Sequence, residues 1–174
     1  MTFEEAVKGS KAPEEVIGQL ELLDVQYYGI DEKLHQGQIM VNKAISQKIR
    51  EIFEVILEER FPINKVVPMV YYDWDDDKSM EDNNSSAFCY RVIAGTDKIS
   101  QHSFGMAVDI NPKFNPLTYT DGRCLPASGK YDTSRLGTLL EGSKIVRAFE
   151  ERGFLWRGRN RNKYDDLHHF DIVL

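Results

Sequence analysis

Asp109 lies inside an apolar run, Met106 to Ile110, within the stretch SQHSFGMAVDINP that spans Ser100 to Pro112. The run reads as a buried strand, and a buried carboxylate is costly unless it is paired, hydrogen-bonded or bound to a cation. Any fold open to this chain must therefore bring a partner to Asp109. His102 stands seven residues earlier. Gly105, between them, has the backbone freedom that a tight turn needs, so His102 and Asp109 can approach one point.

The chain holds four histidines, His35, His102, His168 and His169, and the last two sit side by side behind Asp165 and Asp166. A catalytic zinc takes three protein ligands and keeps a fourth position open for water. His102, Asp109 and one C-terminal histidine would supply them if the C-terminal strand lies beside AVDIN. Periodicity does not choose between His168 and His169. Neighbours on a strand point to opposite faces, so only one would face the ion. Asp166, three residues before His169, is placed to take a proton from a bound water. Spacing alone leaves a second reading open, in which His102 is a satisfied polar residue and Asp109 pairs with an arginine.

The remaining pattern predicts an α+β fold. Thr2 and Glu5 have capping-box spacing, so a short helix is expected at Phe3 to Val7. A second should open at Pro13. LELLDVQYYG and GQIMVNKA read as strands around a polar loop. The clearest helix follows Asn42, with Ile45, Ile49, Phe53, Ile56 and Leu57 on one face and Phe61-Pro62 ending it. NKVVPMVYY is expected as an edge strand because of Pro68. DWDDDKSMEDNNSS reads as a solvated acidic loop, without the glycine and ligand alternation of a calcium loop. SAFCYRVI, AVDIN and HHFDIVL read as strands, and Pro112 to Asp132 as a long irregular loop of the kind that packs over a site. EGSKIVRAFEERG reads as a helix capped by Ser143 and stopped by Gly153. Helices and strands do not alternate regularly. The expectation is one domain, 1–174, with a central antiparallel sheet flanked by helices and residues 1–34 packed on it as an N-terminal extension.

The net charge of -6 argues against nucleic acid as the main partner. The one basic run, RGRNRNK from Arg157 to Lys163, reads as a solvated loop. No apolar run approaches the roughly 20 residues that span a bilayer. MTFEEAVKGS lacks a basic region followed by an apolar one, so either the protein is made in the cytoplasm or an export signal was removed. Cys89 and Cys124 can pair in an exported protein or remain thiols.

Two motifs then carry a resemblance. SQHSFGMAVD matches S-x-H-x-x-G-x-A-x-D, and DLHHF matches D/E-x-x-H-F. Together they resemble the zinc D,D-peptidase family, which includes VanY-type D-alanyl-D-alanine carboxypeptidases, VanX-type dipeptidases and phage L-alanyl-D-glutamate endolysins, and which shares its fold with the Hedgehog signalling domain. NNSSAFCYRVIAGTDKIS, NPKFNP and GFLWRG are similar to neighbouring segments, so the resemblance covers roughly residues 35 to 174. It implies one zinc per chain held by His102, Asp109 and His169. It also implies Asp166 as catalytic acid/base, Arg91 at the scissile carbonyl and Ser100 near the metal as a substrate-binding residue. Trp156 is similar to a site-lining aromatic, though it equally suits a core. Two departures stand out. Arg157 precedes Gly158 where many relatives have two glycines, and the acid/base is Asp, as in the endolysin branch, where VanX and VanY types have Glu.

The implied activity is zinc-dependent hydrolysis of peptidoglycan stem peptides, as a D-Ala-D-Ala carboxypeptidase or an L-Ala-D-Glu endopeptidase, by a monomer. The implied location is the cell envelope or periplasm if a signal was removed, and otherwise the cytoplasm or a phage. The alternative is a non-catalytic zinc-containing binding domain of the same fold, which has no need to keep both Asp166 and Arg91.

Overall fold

The computed structural model describes residues 1–93, 95–159 and 164–172. Its central buttress is the helix α3 (Ser46–Glu58), and two short helices precede it. The first, α1 (Phe3–Ala6), is closed by the expected capping box of Thr2 and Glu5. The second, α2 (Glu14–Ile17), has Pro13 as its cap rather than its first residue. A long hairpin follows, β1 (Leu20–Tyr28) and β2 (Leu34–Asn42). The Asn42 side chain accepts from the Ala44 amide and starts a 3-10 turn that runs into α3 (Ser46–Glu58). Ile49, Ile52, Phe53 and Ile56 are the buried face of α3. That stripe packs on β1 and on the C-terminal helix α5 (Lys144–Glu150), which Ser143 caps as expected. Phe149 of α5 stacks on Phe170 at 3.8 Å between ring centres, so the core reaches the underside of the last strand.

Two corrections concern the acidic middle of the chain. NKVVPMVYY is a strand only at β3 (Lys65–Val66). Pro68 has no amide to give a ladder and instead opens a 3-10 turn over Met69–Tyr72. The stretch read as a solvated loop holds the helix α4 (Asp76–Glu81), because the Asp75 side chain caps it by accepting from the Lys78 amide. SAFCYRVI is also not a regular strand. After β4 (Asn84–Ser85) it runs on with isolated bridges at Ser86–Asp109 and Val92–Ile99.

The strand AVDIN is β5 (Ala107–Asp109), and the long loop after it contains the strands β6 (Leu117–Tyr119) and β7 (Cys124–Leu125). The chain closes with β8 (Leu155–Trp156), β9 (Tyr164–Asp166) and β10 (His169–Asp171). The class is α+β as expected, but the strands do not form one central sheet. Among the described residues they form four small sheets: β1-β2, β5-β10-β8, β7-β6-β9, and the parallel pair β3-β4. Apart from β1 and β2, which have nine residues each and form the hairpin, the strands are two or three residues long and cannot pair widely, so their sheets stay local. Residues 160–163 of the basic run, and Val173 and Leu174 of the expected last strand, lie outside the described residues. Both cysteines are free thiols, and Cys89 is buried.

Gly105 makes the turn between the SxH segment and β5 at φ +65°, and a Cβ there would lie 2.7 Å from the Asn42 amide nitrogen and 2.9 Å from Leu20 Cδ2. Strain and overpacking then act together, so Gly105→Ala should lose at least about 2 kcal/mol of stability in urea unfolding. A loss below about 0.5 kcal/mol would show that the hairpin relaxes freely at this point.

Candidate metal centre

The pairing of β10 with β5 sets Asp109 directly opposite His169. His102 arrives from the 3-10 turn Gln101–Phe104, which Ser100 caps by accepting from the His102 amide. The buried His102 ring has its Nδ1 2.6 Å from the Ala87 carbonyl oxygen. A carbonyl only accepts, so Nδ1 carries the proton and Nε2 turns a lone pair inward. Nε2 lies 3.1 Å from His169 Nδ1 and 3.2 Å from Asp109 Oδ2, and His169 Nδ1 lies 2.9 Å from Asp109 Oδ1.

Three donor atoms thus converge, all within 4.8 Å of one another. Ligands about 2.1 Å from a tetrahedral zinc stand roughly 3.4 Å apart, so small relaxations suffice for an ion. Two imidazole nitrogens and a carboxylate are also a donor set that zinc favours. The residues fit the metal.

His168 corrects a simple expectation. It occupies the turn before β10 rather than the strand, so alternation does not send it away from the centre. Its ring is buried, with Nδ1 2.8 Å from the Asn115 carbonyl oxygen, and Nε2 3.0 Å from Asp166 Oδ1 and 3.9 Å from Asp109 Oδ2. His169 touches both other members of the donor set, and His168 stands behind it against the two aspartates.

Asp166 ends β9, where pairing with Leu117 of β6 fixes it. Its side chain is 16% exposed. Oδ1 is buried and has no hydrogen-bond partner among the described residues, because the close approach of His168 is not aligned as a hydrogen bond. Arg91 is held by its backbone: its amide donates to Ser103 Oγ, and the Ser103 hydroxyl and the Ser100 amide donate to its carbonyl. Its Nη2 reaches Asp76 Oδ2 at 2.8 Å, while Nε is buried without a hydrogen-bond partner among the described residues.

These residues line one cleft of about 460 Å3 with Ser100, Asp77, Leu117, Tyr119, Tyr164 and Asp171. Trp156 does not belong to its wall. It is buried under β10, donates to the Leu167 carbonyl at 2.9 Å and stacks on Phe170, so the structure makes it a core residue. Arg157, first residue of the run read as a solvated loop, instead lines the cleft and grips Asp171 through two 2.7 Å bonds. Asp76 was hidden in the sequence inside an acidic stretch. The signal was Asp75, a good cap ahead of six residues without Gly or Pro. Tyr119 and Tyr164, 5.9 Å apart between ring centres, carried no signal, since their meeting needs the pairing of β6 with β9. Another hollow of about 520 Å3, between Tyr28 and Leu136, contains none of these residues.

Burial by itself would raise the Asp109 pKa, but His102 and His168 outweigh it and hold the carboxyl well below its ordinary range. Burial pulls both histidines down, and the carboxylates more than reverse this: Asp109 raises His102, while Asp166 and Asp109 raise His168. Without a metal, the histidines therefore stabilise the fold fully below their unfolded value of about 6.5, and this is lost as pH rises through their raised values. Asp109 stabilises above its unfolded value of about 3.9 and loses that only in stronger acid. A metal ion needs the imidazoles deprotonated, so its stabilisation grows over the same range in which theirs fades. The zinc-induced rise in Tm should increase from pH 6 to pH 8.5. Thermal melts with and without zinc that show a flat or falling increment would refute this account of the centre.

Residues 94–172 match the family model described as D-alanyl-D-alanine carboxypeptidase. No curated protein and no solved structure matches the chain. The match contains both motifs, with Ser100, His102, Asp109, Asp166 and His169, while Asp76 and Arg91 lie ahead of it. It bears out, over this part of the chain, the resemblance to the zinc D,D-peptidase family.

Proposed function

We propose that the protein is a zinc peptidase that hydrolyses peptidoglycan stem peptides, with His102, Asp109 and His169 holding one zinc. The observation that carries this reading is the convergence of His102 Nε2, His169 Nδ1 and the Asp109 carboxylate beside the unpartnered oxygen of Asp166. Zinc in such a site supplies a Lewis acid and makes water acidic enough to lose a proton near neutral pH.

The chain's own residues do the rest. Asp166 accepts the proton from the attacking water and returns it to the leaving amine. Arg91 stabilises the charge that develops on the carbonyl oxygen, through guanidinium donors that Asp76 leaves free. Ser100 keeps its oxygen on the His102 amide and has its hydroxyl proton for the substrate. The tyrosines of β6 and β9 give the cleft an apolar side for the peptide. In this reading residues 1–174 act as one monomeric domain with 1–34 packed on it, in a Hedgehog-like arrangement. The location in this reading is the cell envelope or periplasm if an export signal was removed, and otherwise the cytoplasm or a phage. The matched family's description favours cleavage after D-Ala, and Asp166 in place of Glu favours the L-Ala-D-Glu bond.

Digestion of muropeptides followed by mass spectrometry separates these: loss of terminal D-Ala, or a cut between L-Ala and D-Glu. Asp166→Asn should keep its zinc and lose roughly two to four orders of magnitude in turnover. If parent and variant bind the peptides and neither cleaves them, the non-catalytic binding domain becomes the better reading. His169→Ala should abolish zinc binding. His168→Ala should retain it, weakened by about 10- to 100-fold because the ring braces Asp109 and Asp166. Loss of zinc from the His168 variant alone would reverse the ligand assignment.

A further inference from the structure

We propose that Asp76 is a positioning residue for the reaction: its carboxylate anchors the Arg91 guanidinium at one side of the cleft and keeps it off Asp109 and Asp166. The catalytic half of this inference rests on the peptidase reading; the electrostatic half does not.

Asp76 is well fixed. It is the first residue of α4, whose start Asp75 caps and whose Ser79 and Met80 are buried. Ser79 Oγ accepts from the Asn84 side chain at 3.0 Å, and Glu81 at the far end bonds the Ser128 hydroxyl and amide. From this base Asp76 Oδ2 meets Arg91 Nη2 at 2.8 Å, with the two side chains 21% and 30% exposed. Both line the cleft that holds His102, Asp109 and Asp166.

Stability does not account for such a pair. Removing charges from water offsets most of what their attraction returns, so partly buried ion pairs often add little to folding. The geometry has another consequence. Arg91 lies in the field of three carboxylates, those of Asp76, Asp109 and Asp166. An arginine on a flexible stem settles on whichever is free. With Asp76 neutralised, the two of these three carboxylates that remain are the proposed metal ligand and the proposed base. A guanidinium on Asp109 would compete with the metal ion, and one on Asp166 would hold the oxygen that has to accept a proton. Asp76 prevents both, and it leaves the other donors of the fork in a fixed plane for a carbonyl oxygen.

The test is a double-mutant cycle of Asp76→Asn and Arg91→Ala, read in two ways. The first readout is zinc affinity of the protein stripped of metal. Asp76→Asn should weaken zinc by about 10-fold, and adding Arg91→Ala should restore it, because the competitor has been removed. The second readout uses the zinc-loaded enzyme on whichever stem peptide the parent cleaves. Asp76→Asn should lower kcat by about 10- to 100-fold with KM changed less than about 3-fold, as expected for a misplaced catalytic group. Asp76→Glu should recover part of that, and in the Arg91→Ala background Asp76→Asn should cost less than about 2-fold. Asp76→Ala replaces the Asn variant if circular dichroism shows the latter unfolded. Additive effects in both cycles, or a single variant that matches the parent in both, overturn the proposal. A parent that cleaves no stem peptide overturns the peptidase reading, while the zinc cycle still decides the role of Asp76.

Discussion

The contact on which the structure depends is that of Asp109 with the histidines around it. A carboxylate in the middle of a buried strand has to be compensated within reach of its two oxygens, and here His169 Nδ1 stands 2.9 Å from one and His102 Nε2 3.2 Å from the other. To meet that demand, β10 must lie antiparallel beside β5 in the register that sets His169 opposite Asp109, and Gly105 must turn the chain tightly enough to bring His102 back. The apolar side of β10 then lands on α5 through Phe170 and Phe149. One polar requirement therefore sets the register of the three-stranded sheet, and the core is built against its other face.

Where a residue's place in the fold follows from its neighbours in sequence, it was legible in advance. The SxHxxGxAxD spacing brings His102, Gly105 and Asp109 together because a 3-10 turn and a left-handed glycine need only local bonds. Asp-x-x-His likewise stays local: β9, a two-residue turn and β10 put Asp166 and His169 on the same centre. The helix after Asn42 and most of its buried face were equally plain, since 3.6-residue periodicity survives whatever packs on it, although Ile52 is buried and Leu57, expected on that face, is half-buried.

What stayed hidden depended on distant partners. Trp156 has the same flanking residues whether it lines a pocket or fills a core. Its place was decided by β8 pairing with β10, which lays the ring over Phe170. His168 was expected to point away on the assumption that the strand began there. The chain turns at that residue, and a turn does not alternate. Asp76 looked like one of several interchangeable surface acids, and its partner fifteen residues on, Arg91, distinguishes it. A single central sheet was expected from the number of strands, but β3 to β10 are two or three residues long and end before they can extend a common ladder, while the nine-residue β1 and β2 pair with each other.

The charge of the cleft links these features. Its described lining carries Asp76, Asp77, Asp109, Asp166 and Asp171 against Arg91 and Arg157, an excess of three negative charges when the histidines are neutral. Both arginines are already bonded to aspartates, Arg91 to Asp76 and Arg157 to Asp171. Such a surface attracts a divalent cation and repels a peptide that bears free carboxylates. Adding one divalent ion removes two of the three excess charges and concentrates positive potential at the point where His102, Asp109 and His169 meet. Under the proposed function, metal and peptide would therefore be coupled before any chemistry begins: a divalent ion at His102, Asp109 and His169 would offset most of the charge that repels an anionic substrate.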